Sequence, residues 1–87
     1  MDADADKATV YFYRKRGCHL CDDMERALAA FRRESDADFR VVARDIESDQ
    51  SWYRRYREYV PTLVLGEVEV CHYFFDQDEL TAALSCN

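Results

Sequence analysis

This 87-residue sequence predicts an α/β domain ordered β-α-β-α-β-β-α, with a four-stranded mixed sheet and helices on both faces. Three observations carry the prediction. Thr9-Val10-Tyr11-Phe12-Tyr13 is a β-branched and aromatic run without polar alternation, as a strand covered on both faces requires. From Cys18 onward the apolar period lengthens to that of a helix. Gly66-Glu67 then separates two short apolar runs in the manner of a two-residue hairpin.

Residues 1–8 read as an acidic tail ahead of a domain spanning 9–87. After the first strand comes a basic loop, Arg14-Lys15-Arg16-Gly17. A helix is expected from Cys18 to about Glu34, with Leu20, Met24, Leu28 and Phe31 forming its apolar stripe. Asp22 and Asp23 fall in its first turn, where acidic side chains suit the helix dipole. Phe39 to Arg44 alternates like a strand nearer the sheet edge. Asp45 to Asp49 reads as a polar turn, and a second helix is expected to reach Tyr59, with Trp52, Tyr56 and Tyr59 packing in the core. Tyr11 and Tyr13 also read as core. Arg54, Arg55 and Arg57 read as a solvated helix face. Val60-Pro61 breaks the helix, since proline cannot continue one and keeps its predecessor extended. Thr62–Leu65 and Val68–Cys71 follow as the hairpin strands, with Cys71 expected to face away from Val68 and Val70. Asp76 and Glu79 resemble a capping box before a last helix ending near Ser85.

One small domain is all that 87 residues allow. With 48% hydrophobic residues and only 2 glycines and 1 proline, the chain is suited to a packed core rather than to disorder or a loop-rich scaffold. No apolar run approaches the roughly 18–20 residues that cross a bilayer. Met1-Asp2-Ala3-Asp4-Ala5-Asp6 has neither the charged nor the apolar region of a signal peptide, so a cytoplasmic location is expected. A net charge of −6 repels phosphate backbones and anionic lipid, so neither nucleic acid nor membrane is expected as a partner. A monomer is expected.

Four cysteines in a reducing compartment point to metal or redox chemistry rather than a disulfide framework. Cys18-His19-Leu20-Cys21 opens a helix directly after a buried-type strand. Haem attachment would need histidine after the second cysteine, where Asp22 stands. At a helix N-terminus, free N–H groups and the dipole favour a thiolate, the nucleophilic form, so Cys18 is expected to be activated. Cys21, one turn in, is expected to be more enclosed and to act as the resolving thiol. Arg14, Arg16 and His19 are expected to help tune the dithiol, while Asp22 on the same helix face opposes them. The spacing from Cys71 to Cys86 is not that of a zinc knuckle, and no metal is expected.

The stretch Tyr13-Arg14-Lys15-Arg16-Gly17-Cys18-His19-Leu20-Cys21 resembles the active-site segment of glutaredoxins. It is most similar to the glutaredoxin-like proteins that carry Cys-His-Leu-Cys. The resemblance runs in element order from about Thr9 to Leu84 and implies a thioredoxin-like fold. Lys15 stands where the family binds a glutathione carboxylate. Val60-Pro61-Thr62 is similar to the family's segment before the third strand. There a cis proline packs against the dithiol and the residue before it, here Val60, offers its backbone to an extended thiol substrate. Asp76 matches the acidic residue at glutathione's glutamyl end, but Tyr73-Phe74-Phe75 replaces the small residues that usually precede it.

What the resemblance implies is a thiol-disulfide oxidoreductase that reduces protein or small-molecule disulfides through Cys18 and Cys21. Its partner is expected to be a disulfide-containing protein or a glutathione-type substrate. No bound cofactor is expected, and glutathione is a candidate reductant. Two rivals stand beside it: an iron–sulfur or glutathione-binding protein without redox turnover, and a redox-silent interaction module.

Overall fold

The computed structural model describes residues 8–85. The acidic tail expected over 1–8 lies outside them except for Ala8, as does Cys86. The chain runs β1 (Ala8–Arg14), α1 (His19–Glu34), β2 (Phe39–Asp45), a 3-10 turn (Ile46–Ser48), α2 (Gln50–Tyr56), β3 (Thr62–Leu65), β4 (Val68–His72) and α3 (Gln77–Ser85). The element order is the expected one. The four strands form a mixed sheet ordered β2-β1-β3-β4, with β1 parallel to β2 and antiparallel to β3. The apolar run of β1 therefore occupies a central position. The more polar β2 lies at an edge.

Helices cover both faces. Cys21, Met24, Leu28 and Phe31 of α1 and Leu80 of α3 pack with Val10, Phe12, Leu63 and Leu65 on one face. Tyr56 of α2 and Ile46 pack with Tyr13 and Val64 on the other, joined by the half-buried Tyr11 and Trp52. Consecutive strand residues thus serve opposite cores, which is why β3 is buried throughout.

Several local expectations change. The stripe of α1 runs through Cys21 in place of Leu20, because the helix starts at His19 with Cys18 as its N-cap. The segment after β2 is a 3-10 turn rather than a plain polar turn, and its Ile46 is completely buried. Asp49 caps α2 by accepting from the N–H groups of Ser51 and Trp52 at 2.8 and 3.2 Å. That helix ends at Tyr56, so Tyr59 leaves the core and stands 46% exposed. Cys71 does not face away from Val70: a register shift opposite Leu63 and Val64 turns both inward. Gly66 opens the β3–β4 turn with φ of 65°, the value that a two-residue hairpin asks of its first residue. No helix of the described residues is long and apolar enough to cross a membrane.

Candidate functional site

The basic loop leaves β1 at Arg14 and delivers Cys18 to the first position before α1. Cys18 has extended backbone angles, and its Sγ accepts the Cys21 N–H at 3.1 Å. A sulfur thus occupies the place normally held by a serine or aspartate oxygen cap. It answers one of the free N–H groups of the first turn, where the helix dipole also favours negative charge. Cys18 is half-buried and reachable, whereas Cys21 is completely enclosed. Burial, reinforced by the hydrogen bond with Cys18, pushes the Cys21 thiol up to about 12. The backbone N–H of Lys15 also meets that thiol and acts in the opposite direction.

Asp22 does not confront the dithiol with a bare charge. Arg14 reaches across the start of α1 to Asp22 at 3.1 Å and pairs with Glu25 as well. Partial burial disfavours the guanidinium charge, but Glu25 and Asp22 hold its pKa above the ordinary value. Arg14 therefore neutralises the acidic first turn and tethers the strand end to the helix.

The sheet brings a second segment to the same end. Tyr13 pairs with Thr62 across β1 and β3, so the register sets Pro61 beside Arg14, four residues before Cys18. Cys18 and Val60 pack against the one core cluster that contains Cys21. The Val60–Pro61 bond is cis, as the resemblance implies. Around it four hydrogen bonds tie the loop. The Tyr59 N–H donates to Tyr56 O at 2.8 Å, and Thr62 Oγ1 donates to Tyr59 O. The Tyr73 N–H donates to Pro61 O at 2.8 Å, and the Tyr73 hydroxyl donates to Glu58 O. Among the described residues, no hydrogen bond takes up the N–H or carbonyl of Val60.

The other expected site residues differ in where their side chains go. Arg16 points into solvent, with Asp45 3.9 Å from it at the end of β2. His19 is exposed at the first residue of α1. Lys15 is half-buried, and its backbone reaches the dithiol. Asp76 accepts the Glu79 N–H at 3.0 Å and so caps α3. Phe75 turns inward onto Phe31, with ring centroids 5.8 Å apart, while Phe74 stands 69% exposed. No group of three or more acidic, histidine or cysteine side chains among the described residues could hold a metal.

Tyr73 was not expected to matter. It is the only non-glycine described residue with positive φ, at 65°, which for a bulky side chain costs on the order of 1–2 kcal/mol. The one legible signal was its position, an aromatic where the resembled family turns on glycine.

The enclosed thiols give the fold a pH dependence. A folded-state value raised above the ordinary 9.0 means that Cys21 favours the native state while protonated, and burial pushes Cys71 the same way. Stability should hold below pH 9 and fall as pH rises toward about 12. Each tenfold bias against the thiolate is worth about 1.4 kcal/mol, or roughly 5–10 °C of midpoint in a domain this size. Thermal melts of the reduced protein should show the decline, and Cys21→Ala should flatten part of it. An equally steep decline in Cys21→Ala would place the alkaline sensitivity elsewhere.

Comparison with known proteins bears on the family and the fold. No curated protein matches the chain. Among solved structures it is similar to Protein Ne2328 from Nitrosomonas europaea, at 29% identity and a TM-score of 0.71, over 95% of this chain and 98% of that one. It is also similar to a mutant thioredoxin from Halobacterium salinarum, at 22% identity and a TM-score of 0.63, over 95% of this chain and 76% of that one. Thioredoxin 1 from Thermosipho africanus aligns at 14% identity and a TM-score of 0.59, over 90% of this chain and 96% of that one. These two thioredoxins speak to the fold alone. The model of the family described as glutaredoxin-like domain (DUF836) matches residues 9–85, nearly the whole chain: the protein belongs to that glutaredoxin-like family and has a thioredoxin-like fold.

Proposed function

We propose that the protein is a thiol-disulfide oxidoreductase acting on disulfides in extended protein segments. One observation carries this reading: a reachable sulfur caps a helix and accepts a backbone N–H at 3.1 Å, directly beside an enclosed thiol. The Cys18 thiolate attacks one sulfur of the substrate disulfide, forming a mixed disulfide as the substrate S–S bond breaks. The first substrate thiolate leaves and takes a proton from solvent. Cys21 then gives up its proton and attacks the Cys18 sulfur, expelling the second substrate thiolate. The substrate gains two electrons and two protons, and the dithiol becomes a Cys18–Cys21 disulfide. A dithiol donor, or two molecules of glutathione, restores the reduced state. A reducing compartment such as the cytoplasm suits that cycle.

Glutathione is the weaker substrate in this reading. Asp76 already serves α3, and Phe74 projects beside the position where a small residue would leave a groove open. Losing one charge-assisted hydrogen bond is worth about tenfold or more in rate, so glutathionylated substrates should react at least about tenfold more slowly than a peptide disulfide.

The test is dithiol-driven reduction of an unfolded protein disulfide. Wild type should accelerate it, and Cys18→Ser should return it to background. With the dithiol donor left out, reduced Cys21→Ser should form a mixed disulfide with the substrate that persists and is visible by mass spectrometry. Retained turnover in Cys18→Ser would overturn the assignment. Robust turnover of glutathionylated substrate that is lost in Lys15→Ala would restore glutathione as the main partner.

A further inference from the structure

We propose that Tyr73 is a positioning residue that sets the height of the Val60 backbone over the dithiol, and so selects extended peptide disulfides over small ones. The role rests on the redox reading above and adds a specificity device to it.

Three separate contacts run from this one residue to the 58–61 loop. Its N–H donates to Pro61 O at 2.8 Å, its hydroxyl donates to Glu58 O, and its ring stacks on Tyr59 with centroids 6.5 Å apart and planes inclined at 25°. His72 packs edge-on against the rings of both tyrosines, at 4.7 and 5.7 Å, closing the cluster on the β4 side. The contacts bracket Val60 on either side and leave its own N–H and carbonyl untouched. Ties to Glu58, Tyr59 and Pro61 hold a peptide unit still while keeping both its hydrogen-bonding groups open. An extended chain needs that combination to add itself beside the loop.

The backbone of Tyr73 indicates why this residue stands out. The Phe74 N–H donates to His72 O at 2.7 Å across a residue with φ of 65°. This is a γ-turn of the positive-φ hand, the rarer and more strained of the two. Glycine would adopt it without a side-chain penalty, but glycine has neither a hydroxyl for Glu58 nor a ring for Tyr59. Strain of this kind persists only where surrounding contacts over-determine it, and here those contacts all lead to one loop. The same turn directs Phe74 outward and Phe75 into the core.

A small symmetric disulfide needs only the Cys18 sulfur, whereas a peptide disulfide also needs the Val60 backbone in register. The two substrates therefore separate positioning from general damage. The experiment measures second-order rate constants for oxidation of the reduced dithiol by an unstructured peptide disulfide and by hydroxyethyl disulfide. Tyr73→Phe, which deletes only the hydroxyl tie, should slow the peptide reaction about tenfold and the small disulfide by less than about twofold. Tyr73→Gly, which accepts the turn without penalty, should not recover the peptide rate. Equal slowing of both substrates, or no change with either, would overturn the role. A wild-type dithiol inert to both would overturn the redox reading itself, and this role with it.

Discussion

In the reduced protein, Cys18 should take up iodoacetamide at least about 100-fold faster than Cys21. Two physical differences act in the same direction. The Cys18 sulfur lies at the mouth of the site, whereas Cys21 has no exposed surface. With its thiol pushed up to about 12, Cys21 holds almost no thiolate at pH 7.5. Desolvation inside the α1 core dominates that shift, and the contact with Cys18 adds to it. Fragment-level mass spectrometry can assign the label, since both cysteines fall on one tryptic peptide. Raising the pH toward 10 should narrow the gap as Cys21 begins to ionise. Equal rates at neutral pH would mean that the enclosed thiol is accessible, and the division into nucleophile and resolving thiol would fail.

Leu63→Ala should be the most damaging single core truncation in the sheet, costing about 2–5 kcal/mol. Leu63 is completely buried in a central strand, pairs with Phe12 on one side and Cys71 on the other, and lies one residue past Thr62. Its loss would leave a cavity between the sheet and the α1–α3 layer. A domain of this size has only about 5–15 kcal/mol of total stability, so urea titration should show a large fall in midpoint. Val68→Ala is the control. That side chain is 62% exposed at the sheet edge, and its truncation should stay within about 0.5 kcal/mol. Similar midpoints for the two variants would contradict the packing described for β3.

How much of this was legible in the sequence depends on the range of the interaction. Local patterns were read well. The unbroken apolar run at 9–13 became a central strand, Gly66-Glu67 became a hairpin turn, and the Cys-x-x-Cys pair became the start of a helix. Each depends on neighbours within a few residues, where periodicity and backbone preference dominate. For Arg14 the sequence suggested a tuning role, and the structure shows its ion pairs at the start of α1. It pairs with Asp22 and Glu25, and its charge also acts on the Cys21 thiol. Arg16, equally basic and two residues away, instead lies towards Asp45. A charge in a loop has a direction only once the loop is folded.

The family, the order of elements and the place of the Cys-x-x-Cys pair at a helix start were all readable in the sequence. Only the tertiary structure decided which groups meet that pair. The exposure of Tyr59 and the inward turn of both Val70 and Cys71 follow from a helix end and one register shift. Such details are set by small energy differences that no local pattern encodes. Tyr73 is the clearest case. It lies 55 residues from Cys18 in the chain, yet its contacts reach the loop that the sheet register sets beside the strand leading to Cys18. Its strained backbone is held by partners brought together from separate strands and loops, and only the assembled sheet places them within reach.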